Sequence, residues 1–205
     1  MKQEQPDWLN VSRETFQRLQ DFAELVKKWN PAINLVSKSS LADLWSRHIL
    51  DSCQVYQQAA VAGGSWVDLG SGGGFPGLVV AILRLESDPE LRVTLVEVDR
   101  RKSVFLSQAA RQLDLKVDVI SERIEAIAPL GANVLTARAL APLDQLCGFA
   151  HKMLIPEGVA LFQKGATFQA ELDEAKKSWA FDVEVVASKV DPSAVILKME
   201  GFRHV

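Results

Sequence analysis

The sequence predicts a doubly wound α/β fold: a mostly parallel seven-stranded sheet with helices on both faces, a C-terminal antiparallel hairpin and an N-terminal helical extension. Two observations carry this prediction. Residues 1–62 show helical periodicity and no strand pattern, whereas short apolar runs alternate with helical stretches from Gly63-Gly64 onward. A glycine-rich segment also follows the first apolar run, where such folds bind ligands. The predicted domains are therefore a helical extension packed on the core, 1–62, and an α/β domain, 63–205.

The composition is typical of one globular domain with an appendage. The chain has 205 residues, 48% of them hydrophobic, and a net charge of −3, which argues against nonspecific nucleic-acid binding. No apolar run approaches the roughly 20 residues of a membrane span, and the polar start is unlike a signal sequence. Cys53 and Cys147 lie far apart without CxxC spacing. We expect a cytoplasmic protein with no metal and no membrane partner.

Two amphipathic helices are predicted before the first strand. Apolar residues recur at steps of three and four from Ser12 to Trp29, and Asn30-Pro31 is expected to end this helix. Ser40 followed by Asp43 resembles a capping box that opens a second helix running to about residue 56. Both helices present an apolar face that needs a partner surface.

The remaining elements alternate in the manner of a parallel sheet wrapped by helices. Strands are predicted at 65–69, 92–97, 116–120, 133–136 and 159–163, and helices at 76–85, 100–113, 121–128, 142–154 and 168–178. Two last strands, at 181–187 and 194–199, are joined by a turn short enough for an antiparallel hairpin.

A glycine-rich segment, DLGSGGGFPG at 68–77, follows the first predicted strand and opens the next helix. Glycine lets the backbone approach a ligand closely, and open α/β sheets bind their ligands at the carboxyl ends of the strands. The segment therefore predicts a nucleotide-type cofactor.

Two glycine spacings overlap in this segment. Gly72, Gly74 and Gly77 match the GxGxxG fingerprint of dinucleotide-binding proteins, so an NAD(P)-dependent oxidoreductase is one alternative. Pro76, however, removes an amide that a pyrophosphate would use, and Asp68 adds negative charge. S-adenosylmethionine has no phosphate and carries an ammonium and a sulfonium, which suit an acidic strand end. We therefore predict that this cofactor binds at Asp68, Gly70, Gly72 and Gly74.

Two further acidic positions are consistent with a bound nucleoside. Glu97 ends the second predicted strand, 29 residues after Asp68, where a carboxylate can accept hydrogen bonds from both ribose hydroxyls. A solvated charge at the strand end is the structural alternative. After the third strand, residues 121–125 occupy the place where such enzymes hold adenine, and a capped helix start has the same pattern.

The absence of two motifs narrows the target of a methyl transfer. The segment after the fourth strand lacks the Asn/Asp-Pro-Pro-aromatic tetrapeptide used for exocyclic amines, and neither cysteine lies where methylation of pyrimidine carbon 5 needs a nucleophile. A target with its own lone pair, such as guanine N7, needs neither a base nor a nucleophile. Catalysis then reduces to positioning the target atom against the methyl group.

These motifs together resemble the RsmG family, also called glucose-inhibited division protein B. The resemblance covers about residues 29–165 and is carried by NLVS at 34–37, RHILDS at 47–52, DLGSGGGFPG at 68–77, VTLVEVDRRK at 93–102 and TARALAPL at 136–143. It implies the class I methyltransferase (Rossmann-like) fold. It also implies methylation of guanine N7 at position 527 of 16S rRNA in the small ribosomal subunit or its precursor, with S-adenosylmethionine as methyl donor.

The resemblance also assigns roles to individual residues. It implies cofactor contacts for Gly70, Phe75, Ile124, Glu125 and Arg138, beside Glu97 at the ribose. Arg138, at the end of the fourth strand, can bind the cofactor carboxylate or orient guanine, and His48 is a second candidate for positioning.

Contacts with RNA are predicted for four basic residues: Arg47, Arg101, Lys102 and Lys164. In the helix that contains RHILDS, pairs at 47/51 and 48/52 are expected to face each other. The net acidity favours a structured ribosomal particle over naked RNA as substrate. A noncatalytic module that binds the cofactor and RNA is the second alternative.

Overall fold

The computed structural model describes residues 3–59 and 63–205, and its strands form one seven-stranded sheet. The strands are β1 (Ser65–Leu69), β2 (Arg92–Val96), β3 (Val117–Ile120), β4 (Ala132–Arg138), β5 (Leu154–Lys164), β6 (Trp179–Ala187) and β7 (Val195–His204). Their spatial order is β3-β2-β1-β4-β5-β7-β6. Strands β1 to β5 pair in parallel, and β7 runs antiparallel to both β5 and β6. The predicted mostly parallel sheet with a C-terminal hairpin is confirmed.

The helices of the described residues flank this sheet and precede it. They are α1 (Arg13–Ile33), α2 (Lys38–Leu41), α3 (Asp51–Gln57), α4 (Gly77–Ser87), α5 (Arg100–Gln112), α6 (Leu143–Met153) and α7 (Phe168–Ala175). A π-helical segment, Trp45–Leu50, leads directly into α3, and a 3₁₀ turn, Ile124–Ala126, follows β3.

Two apolar cores lie on opposite faces of the sheet. Neighbouring residues of β1 point to different faces, so Trp66 belongs to the first core and Val67 to the second. The first core is covered by α1, α3, α4 and α5, and Phe22 of α1 is fully buried in it. Helices α6 and α7 cover the second core. The predicted domain boundary at residue 62 lies outside the described residues, and the division into 1–62 and 63–205 remains a prediction.

The first helix ends later than predicted. It continues through Pro31 to Ile33 and stops at Asn34, which adopts a left-handed conformation with φ 47° and donates its amide to the Asn30 carbonyl. Asparagine tolerates this conformation better than most residues. The Asn30 side chain also accepts the Val36 amide at 2.8 Å, which fixes the turn that follows.

The predicted second helix is divided into three segments. The capping box at Ser40 and Asp43 is wrong, because Ser37 caps α2 and accepts the Ser40 amide at 3.2 Å. The chain then forms the π-helical segment before it returns to α-helical geometry in α3.

The helix predicted at 121–128 is wrong. Only the turn Ile124–Ala126 is helical, and both Arg123 and Ile127 have extended backbone. Ile124 and Ile127 are three residues apart, which matches the three residues per turn of a 3₁₀ helix, and Pro129 disfavours helical geometry in the residue before it.

Candidate active site

The loop that follows β1 has backbone geometry that requires glycine. Gly70, Gly72 and Gly74 have φ values of 66°, 54° and 89°. A Cβ atom at Gly74 would lie within 3.0 Å of both Leu78 and Phe22, so this glycine lets the loop pack on the first core. At Gly72 the same atom would meet only the Gly70 carbonyl, at 3.7 Å. Gly72 therefore presents an open face of the loop to a ligand.

The amides of the GxGxxG spacing are already hydrogen-bonded within the protein. Gly72 donates to Glu97 Oε2 at 2.8 Å, and Gly77 donates to Asp68 Oδ2 at 3.1 Å. The third amide, of Gly74, donates to the Ser71 carbonyl at 2.7 Å. A pyrophosphate would find these three amides occupied, two of them by carboxylates that repel it. This arrangement favours S-adenosylmethionine over a dinucleotide.

Asp68 lies beneath the loop and is fully buried. Its Oδ1 accepts the Thr136 hydroxyl at 2.8 Å, and that hydroxyl oxygen accepts Trp66 Nε1 at 3.0 Å. Burial raises the pKa of Asp68 to about 6, although the hydrogen bonds from Thr136 and Gly77 oppose this rise. In this structure Asp68 supports the loop from below. The Trp66–Thr136–Asp68 connection was not predicted, because it joins two strands that are 70 residues apart.

A cavity of about 400 Å³ lies above the loop, at the carboxyl ends of the central strands. Six of the predicted cofactor residues line it: Gly70, Gly72, Glu97, Ile124, Glu125 and Arg138. The loop supplies close backbone approach, and Glu97 supplies a carboxylate for hydroxyl groups, so the lining suits an adenosyl cofactor. We call it the cofactor cavity. Asp68, Gly74 and Phe75 lie outside its lining, and Phe75 is only 4% exposed.

A second, larger cavity of about 950 Å³ adjoins the first. Its lining includes Arg47, His48, Asp51, Gln163 and Lys164. The two cavities share four consecutive residues, Arg138–Ala141, which we call the shared wall.

The shared wall packs against the glycine loop. A Cβ atom at Gly70 would lie 2.7 Å from Leu140 Cδ1, so a larger residue would displace the Leu140 side chain. Ligands placed in the two cavities would both contact this wall. We refer to the larger space as the target cavity.

Arg138 extends from the end of β4 into a cluster that borders both cavities. Its guanidinium donates to the Arg47 carbonyl at 3.1 Å, hydrogen-bonds His48 Nδ1 and lies 5.5 Å from the centre of the Phe75 ring. Burial lowers the pKa of Arg138. The Asp51 carboxylate, whose Oδ2 lies 3.9 Å from Arg138 Nη1, opposes this effect. The predicted cofactor residue Phe75 therefore acts in this structure as a support for Arg138.

His48 is neutral in this environment. Burial is the main cause that lowers its pKa to about 3, and Arg138 and Arg47 lower it further. A guanidinium can only donate, so His48 Nδ1 accepts and the ring proton resides on Nε2. A neutral imidazole held in this way orients Arg138 and carries no charge of its own.

The expected pairs at 47/51 and 48/52 differ in outcome: positions 48 and 52 are in contact, whereas Asp51 binds partners other than Arg47. Asp51 accepts from Gln54 Nε2 at 2.6 Å and from Gln163, and the Ser52 hydroxyl donates to the His48 carbonyl at 2.6 Å. Gln163, near the end of β5, was not predicted as a site residue.

The four basic residues predicted to bind RNA do not form one patch. Arg47 lines the target cavity, Lys102 lines the cofactor cavity, and Arg101 is exposed beside Asp99 at 3.8 Å. Lys164 is 10% exposed and bound within the protein, to Glu171 Oε2 at 2.7 Å and to the Ala141 carbonyl at 3.0 Å. In this structure Lys164 anchors the end of the shared wall.

Comparison with known proteins identifies the family. The family model described as rRNA small subunit methyltransferase G matches residues 15–195. The chain belongs to this family. A relative named ribosomal RNA small subunit methyltransferase G from Ruegeria pomeroyi is 56% identical over 96% of both chains. One from Cereibacter sphaeroides is 50% identical over 96% of this chain and 95% of its own.

Solved structures show the same fold at low sequence identity. A SAM-dependent methyltransferase from Aquifex aeolicus superposes with a TM-score of 0.61 at 13% identity, over 86% of this chain and 97% of that one. This member of the rRNA small subunit methyltransferase G family thus has the Rossmann-like methyltransferase fold predicted from the sequence. The oxidoreductase alternative finds no support. Within residues 3–59 and 63–205, no helix is long and apolar enough to cross a membrane.

Proposed function

We propose that the protein transfers the methyl group of S-adenosylmethionine to guanine N7 at position 527 of 16S rRNA, in the cytoplasm and within the small ribosomal subunit or its precursor. The observation that carries the proposal is the shared wall Arg138–Ala141, which separates a cofactor cavity from a target cavity. Family membership supports the substrate class.

The chemistry of N7 suits the groups that line the target cavity. The N7 lone pair forms the new bond to the methyl carbon as the carbon–sulfur bond breaks, and the bonding pair remains on sulfur. No proton leaves N7, so no general base is required. His48 has a pKa of about 3, and burial raises the pKa of Cys53 and Cys147 to about 12. These values favour positioning over acid–base or nucleophilic catalysis.

The proposed roles follow from the two linings. Residues at the cofactor cavity bind the nucleoside, the loop residues Asp68, Gly74 and Phe75 support it, and bound S-adenosylmethionine supplies an activated methyl group. Arg138 touches both cavities and orients the reactants, with His48 holding its guanidinium. We further propose that four basic residues contact the RNA: Arg47, Arg101, Lys102 and Lys164.

The test is tritiated methyl incorporation into small subunits that lack the modification. We expect label in 16S rRNA as 7-methylguanine. The Arg138→Ala variant should lose activity by about 100-fold or more, because it removes an oriented cation at the reaction centre. Arg92→Ala, an exposed arginine at the start of β2, is the matched control and should retain activity. Intact cofactor binding without label in 16S rRNA would refute the proposal and favour a noncatalytic module.

A further inference from the structure

Asp51 and Gln163 form a cluster of hydrogen-bond acceptors in the target cavity. Both residues line that cavity and neither lines the cofactor cavity. They come from different parts of the fold, the start of α3 and the end of β5, and Gln163 Nε2 donates to Asp51 Oδ2. The contact spans 112 positions of the sequence, so the tertiary fold alone creates it.

The cluster has acceptor capacity that the described protein atoms leave unused. Gln163 is 8% exposed, and its amide nitrogen must face the Asp51 carboxylate, so the oxygen Oε1 faces the other way. That oxygen is buried and has no hydrogen-bond partner among the described residues. Asp51 accepts one hydrogen bond from Gln54 and one from Gln163 and has the Arg138 guanidinium at 3.9 Å, whereas a carboxylate accepts about four hydrogen bonds. A buried acceptor without a partner costs free energy unless a ligand supplies the donor.

The donors of the site lie beside this cluster, at the shared wall, where Arg138 Nη1 is 3.9 Å from Asp51 Oδ2. Arg138 borders both cavities, and His48 is bound to it with its remaining ring proton on Nε2. The target cavity therefore presents a guanidinium donor and a carboxylate acceptor side by side.

Guanine has the complementary arrangement, since its acceptor O6 lies next to its donor N1–H. Its N7 and O6 are both acceptors on one edge, and N7 must face the cofactor for methyl transfer. Its N1–H and 2-amino group are donors on another edge. Adenine has an acceptor at N1 and no 2-amino group, so the same cluster would leave its N1 against acceptor oxygens. Building on the proposed function, we propose that Asp51 and Gln163 read the target base as guanine by accepting hydrogen bonds from N1–H and the 2-amino group.

This contact would also strengthen during the reaction. Methylation at N7 leaves a positive charge on the purine, which makes N1–H and the amino group better donors. A carboxylate that accepts from them stabilises the transition state more than the bound substrate. Asp51 is thus expected to affect the rate of methyl transfer as well as binding.

The test compares small subunits reconstituted with guanine or with inosine at the target position. Inosine keeps N7, O6 and N1–H and lacks only the 2-amino group. The wild-type enzyme should methylate guanine roughly 10- to 100-fold faster than inosine, since a hydrogen bond to a charged acceptor is lost. In Asp51→Asn and in Gln163→Leu this ratio should fall toward about 1, mainly through a slower reaction with guanine.

The ratio of the two rates in one preparation does not depend on how much of a variant is folded. Titration calorimetry with S-adenosylhomocysteine supplies a second readout, and its affinity should be unchanged because neither residue lines the cofactor cavity. Asp43→Asn is the matched control, an exposed aspartate just before the π-helical segment, and should keep the wild-type ratio. Equal losses on both substrates in both variants would overturn base reading and reduce Asp51 to a support for Arg138. Failure of the wild-type enzyme to label the guanine substrate would instead overturn the proposed function, and base reading with it.

Discussion

Replacing Asp68 with asparagine tests whether the buried carboxylate beneath the glycine loop is charged at neutral pH. The substitution keeps the size of the side chain, and its hydrogen bonds can be re-formed. The asparagine oxygen can accept the Gly77 amide, and its nitrogen can donate to the Thr136 hydroxyl oxygen. That hydroxyl can then donate to the Val67 carbonyl, 3.5 Å away. Asp68→Asn should therefore fold.

The expected effect on stability follows from the pKa of Asp68. Burial raises this pKa from 3.8 to about 6, so the folded protein binds the proton more tightly than the unfolded chain. Protonation of Asp68 therefore contributes to the free energy of unfolding. This contribution is complete below about pH 3.8, where it reaches about 3 kcal/mol, and it is lost as the pH rises through about 6. Between pH 8 and pH 5, Asp68 should add about 1.4 kcal/mol to the free energy of unfolding.

The assay is urea unfolding at pH 8 and pH 5, followed by tryptophan fluorescence. The wild-type protein should gain about 1.4 kcal/mol more than Asp68→Asn on acidification, because the other titrating groups are common to both proteins. Asp118→Asn, an exposed position on β3, should show the wild-type dependence. An identical pH dependence for wild type and Asp68→Asn would refute the raised pKa and the desolvation argument behind it.

Two further substitutions test the contacts of the site. The Glu97 carboxylate accepts the backbone amides of Gly72 and Asp99, and Glu97→Gln leaves one of these two amides without an acceptor. The affinity for S-adenosylhomocysteine, measured by calorimetry, should therefore fall roughly 10-fold. An unchanged affinity would contradict this. Lys164→Met removes the ion pair with Glu171, whose side chains are 10% and 27% exposed, and should lower the free energy of unfolding by about 1–3 kcal/mol in urea titrations. Lys177→Met, at an exposed ion pair, should cause no measurable change, and equal effects of the two lysine substitutions would show that burial does not matter.

Much of the fold could be predicted because the signals are local. Each strand of the sheet carries its own run of apolar residues, and the predicted bounds of β1 agree with the structure at both ends. Helix ends were less predictable, because caps and turns depend on single hydrogen bonds. The first helix ends at Asn34, whereas the sequence favoured an end at Pro31. The next helix is capped by Ser37, whereas the sequence favoured Ser40.

The target cavity could not be predicted in the same way. Its main contacts join residues that are about 90 to 112 positions apart, such as Arg138 with His48 and Gln163 with Asp51. Periodicity gives no information about such pairs. The π-helical segment adds a second difficulty, since the periodicity predicted one continuous α-helix through these residues. A glutamine at the carboxyl end of a central strand was the one available signal, because ligand-binding residues concentrate there.

The glycine loop shows why a motif of this type identifies a cofactor only together with the acceptors around it. The spacing of Gly72, Gly74 and Gly77 is shared with dinucleotide-binding proteins, which leave such amides open to a diphosphate. Here Glu97 and Asp68 take two of these amides, so the positive end that an anion needs is neutralised within the protein. The same two carboxylates leave the loop suited to a cofactor that carries positive charge. The choice between the two cofactor classes thus lies in two side chains outside the glycine pattern.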